Sequence, residues 1–146
     1  VKRFAILLAA AAPFACSGGG SSPAKLDPNT EVCRSCRMPV SDPGLAAQIA
    51  APGEEPKFFD DIGCLRDFLV HAPPSKESVA YVADHRTLKW VRASAAVYTK
   101  AAISTPMGSH WIAHADAASR DADPDAKGGV SVDRTEIFGK GGPPDG

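Results

Sequence analysis

Apolar and polar positions alternate in short runs through the middle of the chain, and the period changes at a few well-marked places. Leu45-Ala-Ala-Gln-Ile-Ala50 and Lys57-Phe-Phe59, on either side of the turn-forming Pro52-Gly-Glu-Glu-Pro56, predict an antiparallel hairpin. The period then lengthens. Ile62, Leu65, Phe68 and Leu69 share one helical face, Asp60-Asp61 stands where a helix cap belongs, and Pro73-Pro74 closes the segment. Ser78-Val-Ala-Tyr-Val-Ala83 predicts the next strand, paired with Leu88-Lys-Trp-Val91 across the polar turn Asp84-His-Arg-Thr87. These elements make a β-β-α-β unit.

Ala93 to Ala96 reads as a short helical or irregular piece leading into a strand at Val97-Tyr-Thr-Lys100. The second half repeats the plan more weakly, with a strand at Trp111-Ile-Ala-His114, a helix over 116–121, a strand at Gly129-Val-Ser-Val132 and a last segment from Thr135 to Phe138. No residue-level repeat accompanies it. The expected fold class is therefore α+β, a small domain of two β-β-α-β units.

The two ends of the chain read differently. Lys2 and Arg3 precede an apolar stretch, Phe4 to Phe14, that is too short to span a bilayer, as in an export signal. It ends at Ala15-Cys16 before Ser17-Gly-Gly-Gly-Ser-Ser22, which resembles a bacterial lipoprotein signal with Cys16 as the lipidated first mature residue. Pro13 departs from that pattern, where Leu is usual, and an ordinary signal peptide with Cys16 as a bystander is the alternative. The expected organisation is a signal peptide over 1–15, a flexible tether over 16–31, a folded domain over 32–138 and a disordered tail over 139–146.

Length and composition narrow the function classes. With 146 residues and 44% hydrophobic positions there is room for one domain with a real core. A net charge of -1, with Lys and Arg scattered, offers no basic face, so nucleic-acid binding is set aside.

The chemistry concentrates in Glu31-Val-Cys-Arg-Ser-Cys-Arg-Met-Pro39, which places Cys33, Cys36 and Met38 within six residues. A cysteine pair two residues apart serves either a disulfide or a metal ion, and thiolate with thioether is the ligand set that favours Cu(I). Against that stands a Cys33–Cys36 disulfide with Met38 as a core gap-filler. With Cys16 lipidated, Cys33, Cys36 and Cys64 remain in an oxidising compartment. Three is an odd number, which leaves one thiol unpaired or all three held by a metal. Cys64 falls in the first turn of the predicted helix, where a thiolate is favoured and neighbouring Asp60 and Asp61 oppose it.

Five segments in register carry a family resemblance: Cys33-Arg-Ser-Cys36-Arg-Met38, Leu45-Ala-Ala-Gln-Ile49, Phe59-Asp-Asp-Ile-Gly-Cys64-Leu, Trp90 with Ala93, Ala96 and Tyr98, and Thr105-Pro-Met107-Gly. From about residue 32 to 138 the chain resembles the NosL family, the accessory lipoproteins of nitrous oxide reductase. The resemblance implies a Cu(I) carrier held by lipid in the cell envelope, facing the periplasm, that delivers copper for assembly of the reductase and catalyses nothing. Its implied partners are copper, the reductase or its maturation proteins, and the membrane. It also implies a treble-clef-like arrangement related to the alkylmercury lyase domain. Arg37 departs from the family, which has Gly before the Met, and this matters only where the backbone needs a positive φ.

The expected metal ligands are Cys33, Cys36, Met38, Cys64 and Met107. Cys64 reads alternatively as a small buried hydrophobe or a disulfide partner. Met107, between Pro106 and Gly108, lies in a loop, and His110 is close enough in sequence to complete a coordination sphere. His71, His85 and His114 read as surface or structural, Asp60 and Asp61 as helix caps, with a carboxylate that orients a ligand or serves as the general acid of a lyase as the alternatives, and Trp90 and Trp111 as core aromatics. Two rivals to copper transfer follow from the same residues. One is an alkylmercury-lyase-like thiol enzyme, and the other a structural zinc site, which wants a fourth strong ligand and leaves Met38 idle.

Overall fold

The computed structural model describes residues 21–146, so the expected signal peptide, the expected lipidation site Cys16 and the start of the expected tether lie outside the described residues. Two small antiparallel sheets and three helices make the α+β domain. In the first unit β1 (Ala47–Ala50) and β2 (Lys57–Phe59) form the hairpin, α1 (Ile62–His71) follows, and β3 (Val79–Ala83) returns to pair with the other side of β1. β4 (Trp90–Arg92) then adds to β3, giving the order β2-β1-β3-β4.

The second unit is built from β5 (Val97–Lys100), β6 (Trp111–His114), α2 (Ala117–Asp121), a 3-10 turn at Pro124–Ala126 and β7 (Val130–Val132), with strand order β6-β5-β7. In both units a hairpin is followed by a helix and a strand that pairs with the hairpin's first member. Connectivity is thus repeated where sequence is not. The last segment is a helix, α3 (Arg134–Phe138), closed at its start by a capping box in which Asp133 and Glu136 satisfy each other's backbone donors.

The main core lies between the first sheet and α1 and reaches into the second unit. Ala47, Ile49, Phe59, Ile62, Leu65, Val82, Tyr98 and Ile137 belong to it, together with Cys33 and Cys64. Trp90 and Trp111 are only half-buried, and Trp111 lies under the Arg66 guanidinium at 5.0 Å, so both are edge rather than core aromatics.

Both flanks expected to be loose have a fixed place. Gln48, fully buried in β1, accepts from Ala24 N–H at 2.8 Å and donates back to Ala24 C=O at 3.0 Å, while Tyr81 Oη donates to Ser21 C=O. Residues 21–31 therefore begin against the sheet instead of hanging free of it, with Ala24 and Leu26 packed on the core. At the other end Ala80 N–H donates to Pro144 C=O, Gly146 N–H donates to Ser78 C=O, and Arg92 pairs with Asp145. The 139–146 tail thereby continues the β4 edge past its end. Pro143 is the tail's one buried residue, and backbone bonds to β3 hold most of the rest, so its composition carried little sign of order.

Asp84 joins the two units. It is 1% exposed and accepts from the Arg86 and Thr87 N–H groups of its own turn, and from Ala115 N–H and the Ser119 hydroxyl across the junction. Burial opposes its charge, but these donors outweigh that and hold its carboxyl well below the ordinary range. Asp84→Ala would orphan several buried donors at once. We expect a loss of about 2–4 kcal/mol, measured by urea unfolding at pH 7, with Asp84→Asn costing less.

Candidate metal centre

The Cys33–Met38 segment is a tight loop closed on itself. Cys33 N–H donates to Met38 C=O at 2.8 Å, Arg37 N–H donates to Cys33 C=O, and Val32 bridges to Pro39. Arg34 N–H donates to Phe58 C=O, which fixes the loop beside β2. The cysteine pair thus arrives at the strand end from its own loop, not on the β1–β2 hairpin.

Closing so short a loop requires a left-handed residue, and Arg37 supplies it at φ 67°. This is the position where the resembled family has glycine, so the departure falls where the backbone does need a positive φ. A side chain there costs roughly 1–2 kcal/mol.

Immediately after β2 the chain turns into α1, and the two aspartates separate in role. Asp61, extended at φ -153°, is the N-cap and accepts from Gly63 N–H at 2.6 Å. It also accepts from Met107 N–H at 3.0 Å, so the Thr105–Ser109 loop is docked on the first turn of the helix. Burial pushes its carboxyl up, yet the Ser109, Gly63, Thr105 and Met107 donors together hold it below the ordinary value. Asp60 does not cap. It turns toward the thiols and accepts from Cys36 Sγ at 3.2 Å.

Cys33, Cys36, Cys64 and Asp60 each bring a ligand atom within 4.8 Å of the others. All three thiols are free, so the Cys33–Cys36 disulfide is not formed. Cys33 is 0%, Cys64 2% and Asp60 2% exposed, and only Cys36 opens toward solvent. Asp60 Oδ1 is buried without a hydrogen-bond partner among the described residues. An orphaned carboxylate oxygen among three thiols is the polarity a cation would satisfy.

The proton-bearing form of the site is strongly favoured when no cation is present. Burial pushes the Cys36 thiol up to about 11, with the Asp60 hydrogen bond and Cys33 adding to it. Burial, Asp60 and the Cys33 charge raise Cys64 further still. A metal must therefore displace protons to bind.

The remaining expected ligands are placed as follows. Met38 is 57% and Met107 53% exposed, so neither is a core gap-filler. Met38 lies two residues beyond Cys36, and the Met107 backbone is tied to the helix that carries Cys64. His110, at φ 60°, donates from Nδ1 to Ile103 C=O at 2.6 Å. Of the two readings of His85 and His114, surface or structural, the structural one fits: His85 is half-buried and His114 buried, and both pair with Asp123.

What the sequence left open was which aspartate belongs with the thiols. Only one of two adjacent residues can be the N-cap, and the doubled carboxylate before a helix was the available signal. The His85, His114 and Asp123 grouping has none, since 38 residues separate its first member from its last.

Two outcomes follow. Arg37→Gly should raise stability by about 1 kcal/mol in urea unfolding, because the strain of the left-handed residue is removed. Metal affinity should rise with pH between about 6 and 8, by about tenfold per pH unit for each thiol proton displaced, as read by competition with a chelator. A flat profile would mean that the thiols are not the ligands.

No family model, curated protein or solved structure matches the chain.

Proposed function

We propose that the protein carries Cu(I) on Cys33, Cys36 and Cys64 and hands it on, catalysing nothing itself. One observation carries the reading: three free thiols gather within 4.8 Å of one another and of a carboxylate whose second oxygen has no partner among the described residues. Thiolates select soft cations, and Cu(I) is satisfied by two or three of them. Cys36 is the exposed edge of the cluster, and the exposed thioethers of Met38 and Met107 stand on the two segments that flank it. Neutral soft donors at the rim suit a carrier, because an incoming sulfur or imidazole replaces ligands one at a time. On the resemblance described above, the recipient is nitrous oxide reductase or its maturation proteins, and the carrier is held to the envelope membrane through lipidated Cys16.

A second reading rests on Asp60. Zinc wants a fourth strong ligand, and Asp60 brings an oxygen within 4.8 Å of the three thiols, which makes a Cys3Asp ligand set. The two readings separate by metal and by residue. In the Cu(I) reading, the reduced protein prefers Cu(I) to Zn(II), and Asp60→Asn leaves the Cu(I) affinity within about threefold at pH 8, since a hard oxygen adds little to a soft ion. Met38→Leu or Met107→Leu, which preserve size and apolar character, weaken Cu(I) retention without unfolding the domain. In the zinc reading, protein purified under reducing conditions holds one chelator-resistant Zn(II), Asp60→Asn releases it, and the methionine changes have no effect. Competition titrations with Cu(I) and Zn(II) chelators on these variants make the measurement, and zinc retention with no Cu(I) uptake would overturn copper transfer.

A further inference from the structure

A second cluster of ligand side chains lies where the two units meet. His85 sits in the turn after β3, His114 is the last residue of β6, and Asp123 is the N-cap of the 3-10 turn after α2. Their ligand atoms fall within 4.8 Å of one another. Asp123 Oδ2 accepts from His85 Nδ1 at 2.7 Å and from His114 Nε2 at 2.8 Å, while its other oxygen accepts from Asp125 N–H. An ionised carboxylate only accepts, so both imidazoles spend a proton on a single oxygen. Burial opposes that charge, and the two histidines outweigh it and hold the carboxyl below its ordinary range.

We infer that His85, His114 and Asp123 form a second metal site, one that takes a borderline divalent transition-metal cation. Three observations support this. First, two nitrogens and one oxygen from three separate elements lie within 4.8 Å of one another, which is the two-histidine, one-carboxylate ligand set that suits zinc and its neighbours and not Cu(I). Second, His114 is 0% exposed and its Nδ1 has no partner among the described residues, so the bond to Asp123 alone sets the ring's tautomer. A cation that takes over the Asp123 oxygen removes that constraint, and the Nε2 proton can then pass to Nδ1, leaving a lone pair on Nε2.

Third, there is polar space beside the cluster. Thr99 lies on the same face of the β5–β6 pair as His114, because Thr99 is opposite Ile112 and Val97 opposite His114. Its Oγ1 is also buried without a partner. Thr99 and Asp123 line one open groove with Arg120, Asp121, Pro124 and Lys127, so the cluster borders a solvent-open groove on the Asp123 side. Since His85 belongs to the first unit and the other two ligands to the second, a bound ion would fix the junction between them.

The test uses the reduced full chain, titrated with Co(II) and then with Zn(II). The expected result is two bound equivalents. One shows sulfur-to-cobalt charge-transfer absorption, and the other lacks it and shifts the imidazole NMR signals of His85 and His114. His85→Gln and Asp123→Asn should each weaken the second equivalent by roughly tenfold or more while the thiolate band persists, and should abolish the part of the Zn(II)-dependent rise in Tm that follows the first equivalent. Saturation at one thiolate-bound equivalent, or a second equivalent that survives both variants, would overturn the proposal. If a variant unfolds, the wild-type histidine signals decide, and no shift in either ring on adding the second equivalent counts against it. Failure of the thiol centre would show separately, as absence of the charge-transfer band.

Discussion

Two adjacent carboxylates at the junction between β2 and α1 set the geometry on which the thiol centre depends. The chain leaves β2 still extended, with Asp61 at φ -153°, and successive residues of an extended chain face opposite ways. Asp61 therefore turns to the helix N–H groups and the Met107 loop, while Asp60 turns to Cys36. Because the helix starts immediately, Cys64 is delivered to the same side as Asp60 one turn later. A single residue more or less between strand and helix would rotate Cys64 away and exchange the duties of the two aspartates.

The same junction explains why the cysteine loop must be strained. Arg34 anchors it to Phe58, the Cys33–Met38 bond closes it, and the short connection leaves a left-handed conformation as the one that fits. The loop, the strand end and the helix start form one rigid frame of backbone hydrogen bonds. Strain at Arg37 is tolerated because the surrounding bonds over-determine the loop.

Much of this frame was legible. The hairpin, the helix and the returning strands follow from short apolar runs, helical period and turn residues: β1 and β3 are buried at every position and read as apolar runs between turn signals, and Pro73-Pro74 fixes where α1 must end. Cys33, Cys36 and Cys64 were legible as a set because an odd number of thiols asks for an explanation. The placed flanks were not legible. Ala24 is held by the side chain of Gln48, and the tail by a free stretch of β3 edge, so in both cases the information lies in the partner and not in the segment. His85 and His114 were invisible for the same reason: the turn and the strand that carry them are predictable, but their meeting is a property of how two units pack.

The repeated connectivity gives that packing a pattern. In each unit the end of the hairpin's second strand presents a polar side chain to a buried cluster: Asp60 just past β2, and His114 as the last residue of β6. The helix that follows then brings a further donor, Cys64 in the first turn of α1 and Asp123 just beyond α2. The strand ends are comparable, but the further donors come from opposite ends of the two helices, and the side chains differ too, with sulfur dominating the first cluster and nitrogen with oxygen the second. A soft ion and a borderline one would therefore sort themselves between the two by side-chain chemistry. Asp84 binds the β3 turn that carries His85 to the start of α2, so the support of the second cluster is also the joint between the two units.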